Sequence, residues 1–209
     1  MCEVAALIRR CIDIVFSAVA LIGLSPLFLI VAVAILADSR GSVVYRSRRV
    51  GKDGRLFHIL KFRSMVADAD QRGPAVTSRG DCRITRVGSF LRGTKLDELP
   101  QFWNVLKGDM TLFGPRPEAP EFVEFYSPDQ RSILSEKPGL TGPSQISCNI
   151  YDSMAVLDSQ AAEYYIKHVL ARRLAIDAEY LRTRSAMNDL ILVGRTLGLM
   201  CRALWRGIA

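Results

Sequence analysis

Ile14-Val15-Phe16-Ser17-Ala18-Val19-Ala20-Leu21-Ile22-Gly23-Leu24-Ser25-Pro26-Leu27-Phe28-Leu29-Ile30-Val31-Ala32-Val33-Ala34-Ile35-Leu36-Ala37 is a run of 24 residues without a charge. A bilayer core about 30 Å thick takes about 20 apolar helical residues, so the run is long enough to cross one with some tilt. It exceeds the apolar core of a secretory signal, about 7–15 residues. Ser25-Pro26 falls near its middle. Proline there removes a backbone hydrogen bond and clashes with the preceding turn, which predicts a kink. The Ser25 hydroxyl can bond back to a carbonyl and ease that loss. Both flanks are basic, with Arg9 and Arg10 before the run and Arg40, Arg46, Arg48, Arg49 and Lys52 after it. A spanning helix is expected to show a charge bias between its ends. Two readings stay open: a single-span anchor that tolerates a proline, and a re-entrant pair that bends at Ser25-Pro26 and returns to the same face.

The whole chain has 209 residues, 28 Lys and Arg against 21 Asp and Glu, and 49% apolar residues. That length suits one domain carrying a membrane element. The apolar content excludes intrinsic disorder, and the single long apolar run excludes a multi-span transporter. A basic and apolar chain points to anionic lipid or phosphate partners. The cysteines are Cys2, Cys11, Cys82, Cys148 and Cys201, an odd number without a CxxC pair. They argue against a disulfide framework and for a reducing compartment. With only His58 and His168 available, a His/Cys zinc site is not expected.

Residues 40–95 carry 14 basic side chains against four acids, more net positive charge than the whole chain. Short strands are expected at 43–45 and 56–60 around a Gly51–Gly54 turn, with a loop at 73–81. A helix is expected over 94–107, an irregular loop over 108–120, short helices at 121–126 and 128–136, and a loop at 137–143. Helical periodicity returns over 159–181 and 188–205. In the last helix Arg195, Arg202 and Arg206 share one stripe, which suits either a membrane interface or a solvated edge.

Three stretches carry chemistry. Asp97 and Glu98 are adjacent at the apparent start of the 94–107 helix. Thr94 with Asp97 resembles a capping box, and acids favour a helix N-terminus, so a structural role suffices for them in isolation. The functional reading is that two carboxylates can hold Mg²⁺ together with substrate phosphates, and that an ionised Asp can attack phosphorus. Gly114-Pro115-Arg116-Pro117-Glu118 fixes the backbone on both sides of one arginine, either as an ordinary rigid turn or as a preorganised phosphate ligand. Lys61 and Arg63 are two apart, on one face of a strand.

The order of these pieces identifies the chain more than any one of them. It resembles the monotopic phosphoglycosyl transferases, the bacterial sugar transferases. The matching pieces are Arg10–Val15, Leu24-Ser25-Pro26-Leu27, Arg49-Val50-Gly51, Lys61-Phe62-Arg63-Ser64-Met65, and Asp81-x-Arg83-Ile84-Thr85-Arg86-Val87-Gly88. They continue through Leu96-Asp97-Glu98-Leu99-Pro100-Gln101, Trp103-Asn104-Val105, Lys107-Gly108-Asp109-Met110, Gly114-Pro115-Arg116-Pro117 and Lys137-Pro138-Gly139-Leu140-Thr141-Gly142 to Asp177, Tyr180 and Asp189. The resemblance implies a compact α/β catalytic unit resting on one leaflet, with amphipathic helices at the interface. It implies a re-entrant helix hairpin over 1–40, with Ser25 and Pro26 at the bend, and a cytosolic catalytic domain over 41–209. It also implies a small member with the catalytic unit only, on the cytoplasmic face of the bacterial inner membrane.

The reaction implied is transfer of a sugar-1-phosphate from a UDP-sugar to polyprenyl (undecaprenyl) phosphate, releasing UMP. Asp97 would be the covalent nucleophile, and Glu98 its partner, both helping to place Mg²⁺. Lys61, Arg63, Arg92 and Arg116, the last held by Pro115 and Pro117, would bind substrate phosphates. Asp177 would also belong to the site. A homodimer is compatible with the resemblance. A nucleic-acid partner is not expected, because no recognition-helix pattern or aromatic-interleaved basic platform occurs. A membrane scaffold of the same fold without activity is the main competing reading, and a hydrolase of lipid diphosphates a lesser one. Two departures bear on the donor: Pro143-Ser144 stands where Trp-Ala is common, and Ser147-Cys148-Asn149 where Asn-Gly-Arg is common.

Overall fold

The computed structural model describes residues 2–73, 81–147 and 161–208. Two helices open the chain, α1 (Cys2–Gly23) and α2 (Ser25–Asp38), with a 59° bend between them. Among the described residues no single helix is long and apolar enough to cross a membrane, but this bent pair together is. The bend forms where Pro26 enters the first turn of α2. The Ser25 hydroxyl donates to the Ile22 carbonyl at 2.7 Å, as the sequence suggests it should. A 59° break of this kind is compatible with both readings of the run, a broken span and a re-entrant pair.

Arg9 and Arg10, which precede the apolar run, lie inside α1, as does Asp13. Asp13 and Ser17 are buried against the rest of the protein, while Leu7, Ile8, Ile12, Val15, Val19 and Ile22 are each more than half exposed. Polar side chains inward and apolar side chains outward invert the order of a water-soluble helix and suit one bathed in lipid. The inner face of α2 buries Val31 and Ile35 against Phe62 and Leu91.

Strand β1 (Val44–Val50) pairs antiparallel with β2 (Leu56–Phe62), Val44 opposite Phe62 and Val50 opposite Leu56. Both run longer than the sequence pattern suggests. A one-turn helix, α3 (Ala69–Arg72), follows; most of the expected 73–81 loop lies outside the described residues.

A helix, α4 (Arg86–Thr94), precedes the expected 94–107 helix, of which only the second half forms, as α5 (Gln101–Lys107). An elbow with a 3₁₀ turn (Leu96–Glu98) joins the two. Thr94 ends α4, and its hydroxyl donates to the Phe90 carbonyl at 2.8 Å, so it caps nothing. The actual N-cap is Thr85, whose hydroxyl accepts the Gly88 N–H at 3.0 Å. Gly88 is required for a second reason: a Cβ there would sit 2.0 Å from the Ser64 carbonyl oxygen, so only glycine lets α4 lie on the segment after β2. Lys95 adopts the left-handed region at φ 63°, which reverses the chain at the elbow.

The expected irregular loops at 108–120 and 137–143 contain β3 (Thr111–Phe113) and β4 (Gly139–Thr141), paired in parallel. Gly114 and Gly139 lie backbone to backbone; a Cβ on Gly139 would meet the Gly114 nitrogen at 2.1 Å. Next come α6 (Pro120–Val123), a 3₁₀ stretch (Gln130–Ser135) and α7 (Pro143–Ser147). Cys148 and Asn149 lie outside the described residues. Helix α8 (Ala161–Tyr164) runs through a π-helical stretch (Tyr165–Leu170) into α9 (Ala171–Arg182), and α10 (Ala186–Ile208) ends the chain. Met187, Leu190, Ile191, Leu197 and Leu199 of α10 are exposed, as are Arg195 and Arg202. Helices therefore predominate in this α/β chain, and each described sheet has two strands.

Candidate active site

The elbow between α4 and α5 carries Asp97 and Glu98. Asp97 is 7% exposed, and no hydrogen bond or ion pair among the described residues ends on its carboxylate. Glu98 differs. Its Oε1 accepts from Lys61 Nζ at 3.0 Å and from Arg116 Nη2 at 3.1 Å. Burial raises the Glu98 carboxyl, but Lys61, then Arg116 and Lys95, outweigh it and hold the group well below the ordinary range. Burial raises Asp97; Lys61 opposes that rise and the neighbouring Glu98 charge adds to it. One acid of the pair is neutralised by protein. The other is withdrawn from water with no hydrogen-bond or ion-pair partner among the described residues, an expensive arrangement unless a ligand supplies one.

Arg116 reaches the dyad from a loop held on both sides. The Pro115 carbonyl accepts the Gly139 N–H at 2.8 Å, and Pro117 leads into Glu118. Asp177 of α9 is 3% exposed and accepts from the Ser144 N–H and hydroxyl, at 3.2 and 2.8 Å, and from the Arg116 backbone. Asp177 thus ties β4's following turn to the Arg116 loop. Ser144, at the departure from the common Trp-Ala, is itself fully buried in this bond.

Arg92 lies in α4, with its Nε donating to the Ser64 hydroxyl at 2.8 Å, and it is among the cations that draw down Asp97. Lys61, Arg92, Pro115, Arg116 and Pro117 therefore gather at the dyad or directly behind it. Arg63 does not. Beyond the end of β2 it turns the other way, and its guanidinium donates to the Ser39 carbonyl at 2.6 Å and the Arg40 carbonyl at 2.7 Å. It is 6% exposed and closes the C-terminal end of α2. Cations suit a helix C-terminus, and hydrogen bonds from a charged donor contribute more than neutral ones. Arg63→Met is expected to lower stability by about 2–3 kcal/mol, read as the shift in chemical-denaturation midpoint, before any effect on substrate affinity.

Three contributors give little signal in the sequence. Lys95 acts on both carboxyls from its left-handed position. Asn104 bridges α5 to β2, its Oδ1 accepting the Leu60 N–H at 2.9 Å and its Nδ2 donating to the His58 carbonyl at 2.8 Å. Behind the Arg116 loop, Glu118 accepts from the Tyr165 hydroxyl at 2.6 Å and pairs with Arg173 at 2.7 Å. The Trp103-Asn104-Val105 motif contains the second of these, and the Gly114–Glu118 stretch ends on the third without marking it out; Lys95 stands in no pattern that chemistry alone would single out.

No cluster of three or more Asp, Glu, His or Cys side chains that could hold a metal occurs among the described residues. Mg²⁺ needs less than that, because it keeps waters and substrate phosphates in its shell and takes one or two carboxylates. Among the described residues the Asp97 carboxylate and Glu98 Oε2 make no hydrogen bond or ion pair, so the donor set fits such an ion.

A model of the bacterial sugar transferase family matches residues 4–203. The chain belongs to that family. As a bacterial sugar transferase it has relatives of known name. It is 38% identical to a UDP-glucose:undecaprenyl-phosphate glucose-1-phosphate transferase of Caulobacter vibrioides, over 90% of this chain and 68% of the relative. It is also 38% identical to a UDP-N-acetylgalactosamine-undecaprenyl-phosphate N-acetylgalactosaminephosphotransferase of Aeromonas hydrophila, over 92% of this chain and 43% of the relative. An exopolysaccharide production protein, ExoY, of Sinorhizobium fredii is 36% identical over 92% of this chain and 85% of the relative. The chain thus spans under half of the Aeromonas protein and most of the other two.

Proposed function

We propose that this sugar transferase moves a sugar-1-phosphate from a UDP-sugar to polyprenyl phosphate at a membrane surface and releases UMP. One observation carries the reading: the buried carboxylate of Asp97, without a hydrogen-bond or ion-pair partner among the described residues, lies beside a Glu98 clamped by Lys61 and Arg116. The names of the relatives support the lipid acceptor and the sugar-phosphate class of donor.

In the first step an Asp97 oxygen attacks the phosphorus next to the sugar. The bond from that phosphorus to the bridging oxygen breaks, and UMP leaves with the electron pair. In the second step an oxygen of polyprenyl phosphate attacks the same phosphorus and breaks the acyl phosphate, which restores the Asp97 carboxylate. Both partners of Asp97 are anions, so positive charge must stand ready before either approaches. Lys61 and Arg116, held on Glu98, and Arg92 supply it. Asp97 and Glu98 would hold Mg²⁺, which would neutralise charge on the transferred phosphoryl oxygens. Lys61 and Arg116 keep Glu98 ionised and fixed, so that it does not take a proton from, or swing toward, the reacting group.

The apolar outer faces of α1, α2 and α10 support a seat in one leaflet. In that seat the bent pair enters and leaves by the cytoplasmic side, and the lipid tail of the acceptor stays in the bilayer. The test is UMP release by protein in nanodiscs from a panel of UDP-sugars, with and without undecaprenyl phosphate, and with Mg²⁺ or EDTA. Acceptor-stimulated, EDTA-sensitive UMP from one donor is the expected result. No UMP from any donor would favour the scaffold reading.

A further inference from the structure

Each arm of the bent helix pair grips a different side of the elbow that bears the dyad. From α1, the Arg10 guanidinium forks over the last carbonyls of α5, donating to Val105 at 2.7 Å and Leu106 at 2.8 Å. From the last residue of α2, Asp38 Oδ2 accepts the Val87 N–H at 3.0 Å, in the first turn of α4. Helix α4 leads into the dyad and α5 leads out of it. Both bonds are electrostatically favourable in their direction, a cation on a helix C-terminus and an anion on a helix N-terminus. A second pair of contacts backs them. Asp13 accepts from the Leu112 N–H at 3.0 Å and the Thr111 hydroxyl at 2.9 Å, and Arg63 closes the end of α2.

We propose that Arg10 and Asp38 are positioning residues that act as the two jaws of a caliper: they fix the α4–α5 elbow to the bent helix pair and so set the height of Asp97 and Glu98 above the lipid. This rests on the membrane-seated transferase reading above. The two substrates then separate the jaws from general stability. A UDP-sugar arrives from water and finds the dyad at any height. A polyprenyl phosphate presents its head at one depth only. A misplacement of about 1 Å by a change remote from the chemistry can cost about 100-fold in rate. Loss of a jaw should therefore fall on the acceptor step.

The test has an activity-free arm and a kinetic arm. Trp103 is 53% exposed on α5, and Trp205 is the only other tryptophan of the chain. In a Trp205→Phe background, Trp103 emission is measured in phosphatidylcholine–phosphatidylglycerol nanodiscs whose acyl chains are brominated at defined depths. Arg10→Ala and Asp38→Ala are expected to shift the depth of strongest quenching. Arg10→Lys is expected to restore it in part. Asp38→Asn, which keeps an acceptor oxygen, is expected to restore it nearly fully. In parallel, the single-turnover UMP burst without acceptor should stay within about twofold, while the rate with long-chain acceptor in nanodiscs falls about tenfold to 100-fold. An unchanged quenching profile in both alanine variants overturns the proposal. So does a burst that falls in proportion to the acceptor rate with no rescue by Asn or Lys. Absence of quenching in the unaltered jaws removes the membrane seat itself, and absence of any burst in them removes the transferase reading, so the two failures are read separately.

Discussion

Asp97→Asn is expected to abolish turnover, with UMP release falling by about 10⁴-fold or more and no phosphosugar adduct on the protein by intact mass. The substitution is nearly isosteric and removes one charge. Asp97 has no hydrogen-bond or ion-pair partner among the described residues, so no structural bond is lost, and burial of a neutral amide costs less than burial of an unpaired carboxylate. The variant should fold at least as stably as the parent. Loss of activity together with retained or increased stability is therefore the signature of a nucleophile. A structural acid would lose both together. Glu98→Gln gives the contrasting case. It weakens two charge-assisted bonds, to Lys61 and Arg116, and leaves both cations short of a counter-charge, so activity and stability should fall together. Turnover that persists in Asp97→Asn at more than a few per cent of the parent rate would falsify the covalent route.

The two acids also show how far the sequence could be read. Adjacent Asp97 and Glu98 are visible as a pair, and the resemblance singles them out, but their division of labour is not visible. It depends on Lys61 and Arg116, which arrive from 37 and 18 residues away. The first half of the helix expected over 94–107 fails for a local reason. Thr94 and Asp97 have the spacing of a capping box, yet Lys95 takes a left-handed conformation that a lysine rarely adopts, and α5 starts only at Gln101, behind Pro100 and without a side-chain cap. Such a reversal at a non-glycine residue carries no composition signal. Strands β3 and β4 were hidden for the opposite reason. Three-residue strands bounded by Gly and Pro look like loops until a distant partner supplies the ladder. Arg63 shares its motif with Lys61 and is expected beside it on a strand face, but β2 ends at Phe62 and alternation stops there. The break at Ser25-Pro26 was legible because proline acts within one turn. The direction of Arg10 and Asp13 was not, because hydropathy counts charges without saying which face of a helix carries them.

Glu118→Ala is expected to be the most destabilising single change outside the dyad, by about 3–5 kcal/mol. Glu118 answers two buried donors at once, the Arg173 guanidinium and the Tyr165 hydroxyl, and Arg173 is 5% exposed. Burial works against the charged form of Arg173, and Glu118, followed by Tyr165 and Asp177, outweighs that effect. Without Glu118 the guanidinium keeps its burial and loses its main counter-charge. Breaking such a pair from one side costs far more than replacing both members with apolar side chains. Arg173→Met on the Glu118→Ala background should therefore recover most of the loss, although it removes a second charge. At a sensitivity of about 2–4 °C per kcal/mol for a chain of this size, Glu118→Ala alone should lower the melting temperature by about 10 °C or more, measured by circular dichroism in detergent. The same change should reach the active site. Glu118 follows directly on Pro117, its carbonyl accepts the Val50 N–H at 2.9 Å, and the loop it anchors delivers Arg116 to Glu98. Donor-dependent UMP formation should consequently be lost at temperatures well below the melting point of the variant and return in the double substitution. If Glu118→Ala melts within 2 °C of the parent, the ion pair is not what holds the arginine loop in place.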